Sequence, residues 1–377
     1  MHVNDYMPLD IQRDILKRLP IKSLMKVRSV SKPLKSIIES SEFIAVYNIH
    51  THRYNHQKLL IGLYNSSHAY TFDDDDDNTS PDQHNFRLIP SLTIHKPFND
   101  MMVGYSQGLF AVYRLDEYYR EVVVIWNPSI RNAVDIPLSG RFKCPNYDSF
   151  IGFGVCNATD PTIVKVASPA LNASKSKKFM QVEIFKLSTG KWRLLSDCCL
   201  RDSLEFRQKV VATDRFIHWL VRDGAKLKIR ILSFDMMSEK FIEVSFHPRS
   251  ILAYKRCDDL DLSKLSCRES FAVLETTHEN DKRYNVWIME HGGDRFMIQK
   301  LVTINNPKDL IKRRVVGFRK NDQPIIHTRN PFKDNEHNIF VYKPGYSGLF
   351  KPIGINHGNN YPCFAGSYME TLLLLDH

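Results

Sequence analysis

The chain has 377 residues, 43% of them hydrophobic, with 52 Lys and Arg against 42 Asp and Glu and a formal net charge of +10. That length suits a small module plus one large domain. Residues 122–126, among its longest apolar runs, fall far short of the roughly eighteen a membrane helix needs, so no membrane association is expected. The N-terminus carries Asp5 and no apolar core of signal-peptide length. Seven cysteines form no C-x-x-C pair, and the adjacent Cys198 and Cys199 suit neither a zinc knuckle nor a simple disulfide. A reducing compartment, cytoplasmic or nuclear, is expected.

In chain order, the first predicted elements are helical. Pro8 suits the first turn of a helix. Ile11, Ile15, Leu16 and Leu19 then recur at the spacing of one apolar helical face. Pro20 is expected to stop that helix. Leu24, Val27 and Val30 form a second stripe. Ser31 can cap a third helix, with Pro33 in its first turn and Leu34, Ile37 and Ile38 facing inward. Such short helices carry more apolar anchors than they can bury among themselves, and each burial is worth roughly 1.5–3 kcal/mol. A module of this kind needs a partner.

From about residue 58 the pattern changes to short β-branched and aromatic runs separated by turn residues. Six marker aromatics, Phe72, Trp126, Phe185, Phe234, Trp287 and Tyr342, lie 54, 59, 49, 53 and 55 residues apart. That period is near the kelch class, about 50, and predicts six four-stranded blades. Radial closure hides the sheet edges that such strands would otherwise leave bare. Residues 366–375, ending in four leucines, read as a late strand that pairs with the first blade and shuts the ring. The fold class expected is mainly β with a small α N-terminal module: helices over 1–46, a linker over 47–57 and a β-propeller-like domain over 58–377. A pair of β-sandwiches with irregular insertions is the alternative.

Two stretches resemble known families. Residues 7–43, with the core Ile15-Leu16-Lys17-Arg18-Leu19-Pro20-Ile21-Lys22-Ser23-Leu24 and then Arg28-Ser29-Val30-Ser31-Lys32, resemble the plant form of an F-box. The family usually opens with Leu-Pro, where this chain has Met7-Pro8. It usually has Lys-Ser-Trp at the third helix, where this chain has Lys32-Pro33-Leu34. Further on, Gly104-Tyr105-Ser106-Gln107-Gly108-Leu109, Ile125-Trp126-Asn127-Pro128-Ser129-Ile130-Arg131, Gly152-Phe153-Gly154, His218-Trp219 and Leu232-Ser233-Phe234-Asp235 resemble the F-box-associated domain of plant F-box proteins. The subgroup they are most similar to is the S-locus F-box-like and F-box/kelch-like proteins.

The resemblance implies a substrate-recognition subunit of an SCF-type ubiquitin ligase. Pro8, Ile11, Ile15, Leu16, Leu19, Pro20, Leu24, Val27, Val30 and Ser31 are the positions it assigns to an Skp-type adaptor, and through that adaptor to cullin and RING subunits. The propeller is expected to hold a protein substrate, with no catalytic group on this chain. A propeller scaffold whose F-box no longer recruits a cullin is the alternative, kept open by Leu34.

The remaining signals are weak. No P-loop, H-E-x-x-H or dinucleotide fingerprint occurs, and no cofactor is expected. His50, His52 and His56 cluster on the expected linker, where a solvated segment is favoured over a metal site. His218 alternates with apolar neighbours, as a hydrogen-bonded strand residue does. The basic clusters Lys175-Ser176-Lys177-Lys178 and Lys312-Arg313-Arg314 are expected beside loops as solvated faces, without nucleic acid as a partner. Residues 73–77, five consecutive aspartates, are expected in a hairpin loop of the first blade.

Overall fold

The computed structural model describes residues 7–54, 58–63, 68–73, 87–90, 101–141, 147–156, 160–169, 180–196, 200–225, 228–245, 257–265, 269–277, 283–292, 295–304, 312–319, 321–330, 336–342, 350–352, 362–373 and 375. Its helical module has four helices, α1 (Leu9–Leu16), α2 (Ile21–Val30), α3 (Lys32–Ile38) and α4 (Ser41–Tyr54). Pro8 and Pro20 stand at the N-caps of α1 and α2, where a missing N–H costs no helical bond. Thus α1 ends at Leu16, ahead of Pro20, and Pro20 opens the next helix instead of stopping the first. Ser31 caps α3 as expected, its Oγ accepting from the Leu34 N–H at 3.4 Å.

Residues 47–54, read above as linker, continue α4. The reason lies in its inner face. Phe43 and Tyr47 stack one turn apart with centroids 6.1 Å from each other, and the Tyr47 hydroxyl donates to the Leu19 carbonyl at 3.1 Å. Burial pushes that phenol up to about 12. Leu16, Ile21, Leu24, Ile37, Ile38, Phe43 and Ile44 complete the buried face of the module.

The described residues from 58 onward form six four-stranded antiparallel sheets. The first holds β1 (Lys58–Leu63), β2 (His68–Asp73), β3 (Arg87–Pro90) and the chain's last strand, β24 (Pro362–Tyr368). The second runs β4 (Met101–Ser106), β5 (Leu109–Leu115), β6 (Glu121–Asn127) and β7 (Asn132–Pro137). In the third are β8 (Tyr147–Cys156), β9 (Asp160–Pro169), β10 (Gln181–Lys186) and β11 (Lys191–Leu194). The fourth comprises β12 (Leu204–Ala212), β13 (Phe216–Asp223), β14 (Lys228–Asp235) and β15 (Lys240–Ser245). Then come β16 (Leu260–Lys264), β17 (Ser270–Thr277), β18 (Arg283–Gly292) and β19 (Arg295–Ile304). The sixth sheet is β20 (Lys312–Phe318), β21 (Pro324–Asn330), β22 (Glu336–Tyr342) and β23 (Phe350–Pro352). Strands β24, β4, β8, β12, β16 and β20 gather round a central axis. The six marker aromatics all fall on the third strand out from it, on β2, β6, β10, β14, β18 and β22.

Continuous apolar runs arise because each sheet is covered on both faces by its neighbours. On β1, Leu59 and Ile61 join Ile325, Ile339 and Val341 of the sixth sheet, while Leu60 joins Phe110 and Trp126 of the second. The described residues show six such cores, one at each junction between adjacent sheets. At one junction a Cβ on Gly152 would sit 2.2 Å from the Trp219 ring, so only glycine lets β8 meet that indole.

The ring is shut as anticipated, by the last strand on the first sheet, with registers running from Lys58↔Tyr368 to Leu63↔Pro362. A Cβ on Gly317 would lie 1.5 Å from the Ala365 carbonyl oxygen, so β20 and β24 close on each other only through glycine. The extent differs from expectation. The strand is Pro362–Tyr368, and Leu372, Leu373 and Leu375 beyond it are not part of the sheet. Lys312-Arg313-Arg314, expected beside a loop, instead opens the innermost strand β20. No described helix is long and apolar enough to cross a membrane.

Candidate docking surface

The helical module sorts its apolar side chains into two sets. Leu16 and Leu24 are buried, and Leu19 and Val27 are half-buried against the same core. Ile11 and Ile15, one turn apart on α1, are 50% and 46% exposed, and Val30 at the end of α2 is 80% exposed. Met7 and Leu9 flank them at about half exposure, and Pro8 and Pro20 are exposed as well. A short helix that leaves aliphatic side chains wet beside a complete core carries an unpartnered face. Ser31 is half-buried and spends its hydroxyl on the α3 cap. Leu34 is half-buried and turned to the core, so the missing aromatic alters inner packing and not the exposed ridge. Arg28 braces α2 against the end of α3, with its guanidinium 2.6 Å from Glu39 Oε1.

The module is fastened to the propeller by the stretch after β24. Leu372, Leu373 and Leu375 are buried in the same core as the helices and the second and third sheets. Backbone groups there are met by side chains. Asn48 of α4 accepts from the Leu372 N–H at 3.0 Å. Asn127 Nδ2 donates to the carbonyls of Thr371 and Leu373 at 3.1 and 2.8 Å. Ser129 Oγ accepts from the Thr371 N–H at 3.0 Å and lies 2.5 Å from the Tyr368 hydroxyl. Lys58 reaches Glu370 at 2.7 Å. The Asn127-Pro128-Ser129 turn therefore does more than reverse a strand: it clamps the tail. A cavity of about 280 Å³ remains between module and tail, lined in part by Lys17, Tyr47, Lys58 and Glu370.

Other expected positions are placed as follows. His218 is fully buried between Ser233 Oγ at 2.7 Å and Thr213 Oγ1 at 3.2 Å, stacked on Phe271, as a strand residue. His50 and His52 fall on α4, and His56 lies outside the described residues. Among the described residues no three metal-ligating side chains converge. Asp73 ends β2, while residues 74–77 and the Lys175-Ser176-Lys177-Lys178 cluster lie outside the described residues. The expectation that the chain carries no G-x-S-x-G elbow is corrected by Gly104-Tyr105-Ser106-Gln107-Gly108, which has that spacing. Its context is wrong for one. Ser106 is fully buried at the end of β4, accepts from the Val155 N–H at 3.1 Å and leads into a two-residue hairpin, not a helix. Gln107 and Gly108 both take positive φ there, as such a tight turn requires.

A helical module with an exposed aliphatic ridge, clamped to a closed ring of six sheets, is the architecture of this chain. The chain matches the F-box domain family over residues 5–45 and the F-box associated beta propeller domain family over residues 63–374, and it belongs to the latter. It is 24% identical to F-box protein CPR1 of Arabidopsis thaliana over 80% of this chain and 74% of that one. It is 22% identical to an F-box/kelch-repeat protein of the same plant, over 81% of each. Among solved structures, TolB from Acinetobacter baumannii aligns with a TM-score of 0.45 at 10% identity, over 87% of this chain and 72% of that one. An F-box implies an adaptor of the Skp type in general, and F-box family members are non-catalytic adaptors as a rule.

Proposed function

We propose that this chain is the substrate-recognition subunit of an SCF-type cullin–RING ubiquitin ligase. The exposed ridge of Pro8, Ile11, Ile15, Pro20 and Val30 carries the reading, because a wet aliphatic face on a complete module has no structural use. In this account the ridge, edged by Leu19, Val27 and Ser31, seats the adaptor, and Leu16 and Leu24 support it from beneath. The propeller holds a protein substrate. Its contribution is positional: it raises the effective concentration of substrate lysines near a ubiquitin-charged enzyme and breaks no bond itself. The alternative scaffold reading drew on Leu34, and the inward orientation of that residue favours the recruiting reading.

Co-purification with an Skp-type adaptor tests it. Ile11→Ala with Ile15→Ala is expected to weaken adaptor binding by well over tenfold, at about 2 kcal/mol for each central anchor. Thermal stability should change little, since both side chains are half in water. Unchanged adaptor capture by a folded double variant contradicts the reading.

A further inference from the structure

The propeller axis encloses a cavity of about 210 Å³ bounded by β4, β12, β16, β20 and β24. Four of those strands are bulged, β24 at Cys363. On β12, Arg207, Gln208 and Lys209 stand opposite the single residue Leu220, between the pairs Phe206↔Val221 and Val210↔Trp219. Val103 and Val316 are the extra residues of β4 and β20. Bulges re-aim side chains, and here Gln208 and Lys209 line the cavity.

The charges of the lining do not balance. Among the described residues of the lining, Lys209, Lys264 and Arg314 stand against one carboxylate, Asp261. Lys209 Nζ donates to the Leu260 carbonyl, which is neutral, and Arg314 is exposed with no carboxylate partner among the described residues. Lys264 lies over the Tyr105 ring, 5.4 Å from its centroid, and is answered by Asp214 and Glu269. Those two acids follow β12 and precede β17, on the face where Gln107 Nε2 meets Asp214 Oδ1 at 2.5 Å. The tail and helical module occupy that same face, since β24 ends there beside Gly108. Arg314 lies near the start of β20, and the innermost strands all begin at the opposite mouth.

We propose that this opposite mouth receives an acidic peptide segment of the substrate, with a carboxylate entering the cavity between Lys209 and Arg314. The proposal rests on the receptor reading, because it names what the receptor holds. The cavity accommodates about one side chain, if a water takes about 30 Å³ of liquid. Recognition is therefore of a charged tip on an extended segment. The net charge of +10 draws such a segment in.

Fluorescence anisotropy on the full chain, with a labelled oligoglutamate peptide as probe, tests this, and adaptor co-purification is followed on the same samples. Saturable binding is expected, weakened by salt and by about tenfold in Arg314→Gln and again in Lys209→Gln, with no binding of oligolysine. Arg314 is exposed, so its variant keeps the test readable should Lys209→Gln fail to fold. Absence of oligoglutamate binding, equal binding by Arg314→Gln, or binding of inorganic phosphate alone overturns the proposal. Peptide binding without adaptor capture upholds the channel site and contradicts only the receptor reading.

Discussion

Lys165 and Glu183 form a buried pair in the third sheet, 3.4 Å apart and almost fully enclosed. Both charges are satisfied beyond each other. Lys165 Nζ donates to the carbonyls of Ser139 and Arg141 at 3.0 and 3.1 Å, and Ser139 Oγ donates to Glu183 at 2.7 Å. The pair thus ties the third sheet to the connection leaving the second. Lys165→Met strands Glu183 as a lone buried charge and is expected to cost about 3–5 kcal/mol in denaturant unfolding, whereas adding Glu183→Leu restores most of it. Asp235 makes a second test at this scale. Burial alone raises its pKa, but the forked contact from Arg215 at 3.0 and 2.6 Å and the bonds from Met237 and Ser238 outweigh that and hold it at about 2. A carboxyl lower in the folded than the unfolded chain stabilises above the unfolded value, near 3.8, and loses that contribution as pH falls toward 2. Acid melts should therefore show less loss over that window for Asp235→Asn than for the parent.

Among the elements, the tail after β24 has the largest consequence. Leu372, Leu373 and Leu375 are buried with α4 and the second sheet, and Asn48, Asn127 and Ser129 hold the tail's backbone from both sides. Leu372→Asp places a charge in that core. It is expected to free the helical module while the sheets stay paired, read as faster hydrogen–deuterium exchange over residues 41–54 at unchanged β content by circular dichroism. The blades were legible in the amino-acid string because a strand between two sheets is apolar on both faces, so Trp126, Phe185 and Phe234 recur at blade spacing. The helices were legible through Ser31 and the stripe of Ile11 and Ile15. The tail was not, since four leucines after a strand look the same whether they continue a ladder or fill a cleft between domains. Leu16 and Leu24 could not be separated from Ile11 and Ile15 as inner and outer residues, because one apolar period serves both. The linker misreading has a like cause: the inner face of α4 rests on Tyr47 and Asn48, whose partners lie far away in sequence.

For the whole molecule, the helical module is attached at the end of the axis where the tail leaves β24. The acidic groups and the tail lie at one end of the axis, and Arg314 of the basic lining lies toward the other. Under the proposed function, such a body would present a substrate at a distance and angle set by the fold, which is what positional catalysis needs. In the proposed function, α1 and the end of α2 seat an Skp-type adaptor. Hydrogen–deuterium exchange on the full chain, with and without purified adaptor, tests this most directly. Slowed exchange over residues 8–31 with the six sheets unchanged is the predicted result; no protection there, or protection confined to the blades, would contradict it.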